Sequence, residues 1–212
     1  MNTNPVHEKL KRLLHYAAQD FYTDDWWKQE KWWQEAHSFY KSHQQEFNLC
    51  LFVELNTATQ QLDHTKINAL LLLIQGTYYF DPADEKRLAV YFYELLEQLL
   101  VDLGPPYPDK KAWNLYHSYD IIWHNSLLYE TDRDRLTAII EKTRHIECAD
   151  HESGSDCAMA LYKAVDLLRL IDTPQSFEVL KRYVTHCNEE ASLKAVEALK
   201  DIEIRKKQDL KE

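Results

Sequence analysis

Apolar residues recur at intervals of three and four along most of this chain. The clearest case is the stretch "FDPADEKRLAVYFYELLEQLLVDLG". Leu88, Tyr91, Phe92, Leu95, Leu96, Leu99 and Leu100 follow helical spacing there. Asp81 is a candidate cap, Pro82 suits the first helical position, and Asp84 and Glu85 favour the positive helix start. Gly104 and the prolines after it form a stop signal. The same spacing predicts helices over 5–21, from Asp24 or Asp25 to 43, over 46–62, 65–79 and 109–129. Four more are predicted over 131–146, 155–171, 173–186 and 189–203. The run "LCLFVEL" also fits a strand by its apolar continuity, and "ALLLLI" places the 65–79 helix centrally.

The fold class predicted is all-α. One domain over 1–212 is expected, with an aromatic-rich helical half (1–104), helical hairpins (109–203) and a charged tail from Ile204 (204–212) that frays. Composition agrees. The chain has three glycines and six prolines, too few turn residues for an all-β protein.

An internal echo organises the second half. "LYKAVDLLRLI" (161–171) and "SLKAVEALKDI" (192–202) align without gaps at an offset of 31 residues. Lys163, Ala164, Val165, Leu168 and Ile171 match Lys194, Ala195, Val196, Leu199 and Ile202. Between them, "DTPQSFEVLKRYVTHC" supplies a polar turn and a second helix. "ETDRDRLTAIIEKTRHI" is a fainter earlier version. Turn, helix, acidic loop and Ala-rich helix together resemble a HEAT-type repeat. That resemblance implies stacked antiparallel hairpins, irregular here because the N-terminal half shows no repeat and "ECADHESGSD" interrupts the units. An ordinary helical bundle with a coincidental echo is the alternative.

The segment "DDWWKQEKWW" holds four of the six tryptophans. On a helical wheel Trp26, Trp33 and Tyr40 fall together, extended by Trp32, Ala36 and Phe39, and are expected in the core. Trp27 falls with Lys31, Gln34 and Ser38. It either packs under the first helix or stays exposed as an anchor for a partner.

The formal net charge is −10. Basic residues sit among acids, as in "KLKR" and "EIRKKQDLKE", and read as solvated faces. This balance argues against a nucleic-acid partner. The first residues lack the apolar core of a signal peptide, and no apolar run reaches membrane-spanning length. A cytoplasmic protein with four free thiols (Cys50, Cys148, Cys157, Cys187) is expected.

Candidate chemistry is sparse. Glycine-rich phosphate loops, nucleophile elbows and His-Glu-x-x-His are absent from the sequence, and no cofactor is expected. His145, Cys148, His151 and Cys157 are zinc-type residues in one segment, but their spacing matches no standard site. The plainer reading places His145 and Cys157 at helix ends. Asp120 with His117, His124 and Trp123 reads either as a polar site or, preferably, as aromatic packing.

The function expected is a non-enzymatic protein-binding module. Partner-contacting candidates are Trp27, Glu141, Arg144, Glu178 and Arg182, with Asp150, Glu152 and Asp156 on an acidic loop that favours a basic partner. In general type the chain also resembles small acidic immunity proteins, which implies a basic toxin as partner. Two alternatives remain. One is an enzyme resembling the helical-repeat DNA glycosylases, and the other is a scaffold subunit that joins copies of itself.

Overall fold

The structure is a computed structural model that describes residues 4–19, 25–76, 82–104, 107–147 and 155–209. Among the described residues there are ten helices and no strand. They are α1 (Pro5–Gln19), α2 (Trp26–Gln61), α3 (His64–Gly76), α4 (Pro82–Leu99), α5 (Asp109–His124), α6 (Ser126–Glu130), α7 (Arg133–Thr143), α8 (Asp156–Ile171), α9 (Pro174–Tyr183) and α10 (Glu189–Asp209). None of them is long and apolar enough to cross a membrane. The chain divides into two compact units, Met1–Leu95 and Leu96–Glu212.

In the first unit, α1, α2 and α3 pack on one another. The core holds Leu10, Leu13, Phe47, Leu51, Leu55, Leu70 and Leu71, each 3% exposed or less. The two helices expected over 24–43 and 46–62 are one helix with a kink. His43 leaves helical geometry (φ −139°, ψ 30°), and its Nδ1 donates to the Phe39 carbonyl at 3.2 Å. No Pro or Gly lies between Trp26 and Gln61 to break the helix, so it bends and continues. "LCLFVEL" is therefore helical, not a strand. Leu62 then turns the chain in the left-handed region (φ 53°), with the Asp63 N–H on the Ala58 carbonyl at 3.0 Å. The start of α4 joins this unit through Asn48 Nδ2 to Asp84 Oδ2 (2.6 Å) and the stacked rings of Phe52 and Tyr91.

The second unit is built in rows. α5 packs on α8, and α8 on α10. α7 lies against α8 and α9, and α9 against α8 and α10. The helix expected over 109–129 breaks at Asn125, whose Nδ2 donates back to the Ile121 carbonyl at 2.8 Å. Side-chain caps set four helix starts here: Asp132 for α7, Ser155 for α8, a Thr173–Ser176 capping box for α9, and Asn188 for α10, whose Oδ1 accepts the Ala191 N–H at 3.0 Å. α4 stops at Leu99, ahead of Gly104, and α10 continues through the tail expected to fray, as far as Asp209.

The echoed lysines make the same bond twice. Lys163 on α8 reaches Asp120 on α5 at 2.6 Å, with its ammonium 4.6 Å from the Trp123 ring centroid. Lys194 on α10 reaches Asp166 on α8 at 3.2 Å, with its ammonium 4.6 Å from the Tyr162 ring.

One cysteine expectation is overturned. Cys157 is disulfide-bonded, while Cys50 and Cys187 are free thiols and Cys148 lies outside the described residues. Sequence spacing says nothing about whether two sulfurs approach within bonding geometry, and that approach decides the matter.

Candidate functional site

The first unit holds a cavity of about 480 Å³ between α1 and the beginning of α2. Lys9, Arg12, Leu13 and Tyr16 line it from α1. These positions are three and four apart and so share one helix face. Trp27, Lys28, Lys31, Trp32 and Glu35 line it from α2, with the same periodicity.

Trp32 holds the two helices together. It is 5% exposed, its indole N–H donates to the Leu13 carbonyl at 3.1 Å, and its ring stacks on Tyr16 with centroids 6.1 Å apart. A buried indole needs a partner for its N–H, and the first helix supplies it from the backbone. Trp33 meets Trp32 edge-on at 4.9 Å.

Trp27 behaves differently. It is 51% exposed at the cavity wall, with the Lys28 ammonium 5.7 Å from its ring centroid. Trp27 is thus exposed and not packed under the first helix. Trp26 corrects the expectation for it: placed in the core with Trp33 and Tyr40, it is 73% exposed. A wheel gives an angle around the helix axis, not the length of axis that a neighbour covers. Trp26 is the first residue of α2, and burial begins at Trp32. Trp32, Ala36 and Tyr40 are buried as expected, and Trp33 and Phe39 are half-buried.

Electrostatically the cavity is cationic. Lys9, Arg12, Lys28 and Lys31 face it, and among the described residues Glu35 is its one carboxylate, ion-paired to Lys9. In the sequence, Lys9 and Arg12 belong to "KLKR" and read as a solvated face. The signal of the four cations was the spacing of Lys9 and Arg12 on one helix and Lys28 and Lys31 on the next. It becomes legible only once the two helices are known to be neighbours.

The candidates of the second unit do not form one site. Glu141 on α7 pairs with Arg182 on α9, so those two do meet. Glu178 pairs instead with Lys181 of its own helix at 2.7 Å. Arg144, just past α7, offers its carbonyl to His186 Nε2 at 2.9 Å. Asp156 opens α8 half-buried. Burial raises its carboxyl pKa, and the charge of Asp109 adds to that. Asp150 and Glu152 lie outside the described residues, as do Cys148 and His151. Among the described residues no cluster of three or more His, Cys, Asp or Glu is placed to hold a metal. The disulfide removes Cys157 as a thiolate ligand, and His145 is exposed beside Arg144.

The Asp120 group is held in packing contacts. Asp120 is paired to Lys163, and His124 lies 3.7 Å from it. His117 is buried edge-on against Trp113, with centroids 4.1 Å apart, and burial lowers its pKa to about 4. The ring is therefore neutral near pH 7.

Comparison with family models, with curated proteins and with solved structures finds no match to this chain.

Proposed function

We propose that the chain is a non-enzymatic protein-binding module whose recognition surface is the start of α2 and the cavity beside it. The observation that carries this reading is the exposure of two adjacent tryptophans, Trp26 at 73% and Trp27 at 51%, while Trp32 further along α2 is buried. Exposed tryptophans bordering a concavity are the residues that most often anchor a protein partner. The polar groups singled out as candidate chemistry, Asp120 and His117, sit in ion-pair and ring contacts instead.

A HEAT-like hairpin stack is the scaffold we propose for the second unit. The row of α5, α8 and α10 supports it, as does the second row of α7 and α9 and the repeated backward bond of Lys163 and Lys194. A toxin-neutralising role is a separate version of the protein-binding reading, in which the net charge of −10 favours a basic partner on the acidic surface of the chain and not in this cavity. Formation of a purified complex with a toxin encoded beside this chain would test it.

The general reading is tested by cross-linking and mass spectrometry in the native host, comparing the wild type with Trp26→Ala/Trp27→Ala. The double variant should keep its thermal midpoint and lose specific partners. An unchanged set of partners would sink the proposal.

A further inference from the structure

The cavity on α1 and α2 has the opposite charge from the chain that carries it. The chain's net charge is −10, yet among the described residues four cations and one carboxylate line this space. Glu35 neutralises Lys9. Arg12 and Lys31 are exposed and make no ion pair among the described residues, one on each side of the groove. Between them stand aromatic walls. Trp32 presents only its ring, because its N–H is already bonded to Leu13. Trp27 keeps half of its surface in water.

We propose that this groove binds an acidic segment of a partner protein. Its carboxylates meet Arg12 and Lys31, and a neighbouring apolar or aromatic side chain packs on Trp27. The inference rests on the protein-binding reading above and names the class of partner it admits. Guanidinium and ammonium groups pair with carboxylates through charge-assisted hydrogen bonds, and the adjoining rings supply the apolar contact that gives such a pair its affinity.

One observation favours a chain segment over a small phosphorylated ligand. Trp26 is the most exposed large apolar side chain described, yet it lies outside the cavity lining. A small ligand filling the cavity leaves Trp26 in water, whereas a segment running past the groove covers it.

The test is selection from a random peptide display library on the immobilised full chain, in parallel with Arg12→Glu/Lys31→Glu. Both substituted residues are exposed, and an unchanged circular-dichroism melt verifies that the variant folds. The wild type should enrich peptides carrying Asp or Glu next to Trp, Phe or Leu. The best of them, synthesised, should bind the double variant at least tenfold more weakly and should weaken with added salt. Enriched peptides that are basic or neutral but need Trp27 would overturn the charge assignment and leave the protein-binding reading standing. Acidic peptides that bind the double variant equally well would overturn it too. No enrichment at all would overturn both. If adenosine diphosphate then bound in an Arg12-dependent way, a small phosphorylated ligand would take the segment's place.

Discussion

Lys163 Nζ lies 2.6 Å from Asp120 Oδ1, and both side chains are about 15% exposed (15% and 16%). Thirty-one positions later Lys194 makes the corresponding bond to Asp166 on the preceding row helix. The echo in the sequence thus marks a repeated tie between stacked helices, each covered by an aromatic ring.

Removing one partner of such a tie strands a charge in a poorly solvated place. Lys163→Met should cost about 3 kcal/mol in urea unfolding, since Asp120 is left without its ammonium. Asp120→Asn added to it should recover a large part of the loss, because the stranded charge is gone. Equal stabilities of wild type and Lys163→Met would show that the pair is dispensable.

Trp32 and Trp27 should separate cleanly in thermal melts. Trp32→Ala deletes a buried ring and its hydrogen bond to the Leu13 carbonyl, and should cost about 3–5 kcal/mol. Trp27→Ala removes a half-exposed ring and should stay within about 1 kcal/mol of wild type. A large loss for Trp27→Ala would place it in the core instead.

Stability should fall as pH drops from about 6.5 to about 4, and His117 is one cause. Burial lowers the pKa of its folded form from 6.5 to about 4. In that window the unfolded chain takes up a proton that the folded chain does not, which favours unfolding by up to about 3 kcal/mol. Burial also lowers the His186 pKa. Its Nε2–H donates to Arg144 while Nδ1 accepts the Asn188 N–H at 3.0 Å, a pattern that only the neutral ring satisfies. His117→Phe, which keeps the ring contact with Trp113, should flatten the slope between these pH values. Urea midpoints across the range would show it, and an unchanged slope would refute the assignment.

Below this window Glu97 adds to the loss. The Arg135 hydrogen bond holds its carboxyl below the usual range, outweighing burial. Its contribution is complete above the carboxyl pKa of the unfolded chain and disappears as pH falls through the lower folded value. Glu97→Gln should therefore matter at pH 7 and cease to matter at the most acid pH at which the fold survives. Both side chains are about a third exposed (32% and 36%), which limits the pH 7 effect to about 1 kcal/mol.

The disulfide is open to a chemical check. Alkylation in denaturant without reductant, followed by peptide mass analysis, should label Cys50 and Cys187 and leave Cys157 unlabelled until reductant is added. Label at Cys157 in the unreduced chain would contradict the bond.

Helix content was legible because it is written in local spacing. Leu88, Phe92, Leu95 and Leu99 mark one face of α4 whatever lies opposite, and all four are buried. Pro174 after Thr173 marks the start of α9, because the missing N–H and the capping hydroxyl both act within a single turn. The site was less legible. Trp27 stood out as an aromatic on a polar face, but its neighbours Lys9 and Arg12 belong to another helix and read there as ordinary solvated charge.

The chain's own pattern of apolar positions, caps and breakers was enough to specify an all-helical protein and to reveal the repeated lysines, since those features act over a few residues. Three outcomes depended on which helices meet. Trp26 stays in water because none of the described residues covers it. Cys157 is bonded and not free. Four scattered cations become one groove because α1 lies along α2. Each depends on distances between residues far apart in sequence, and packing alone determines those.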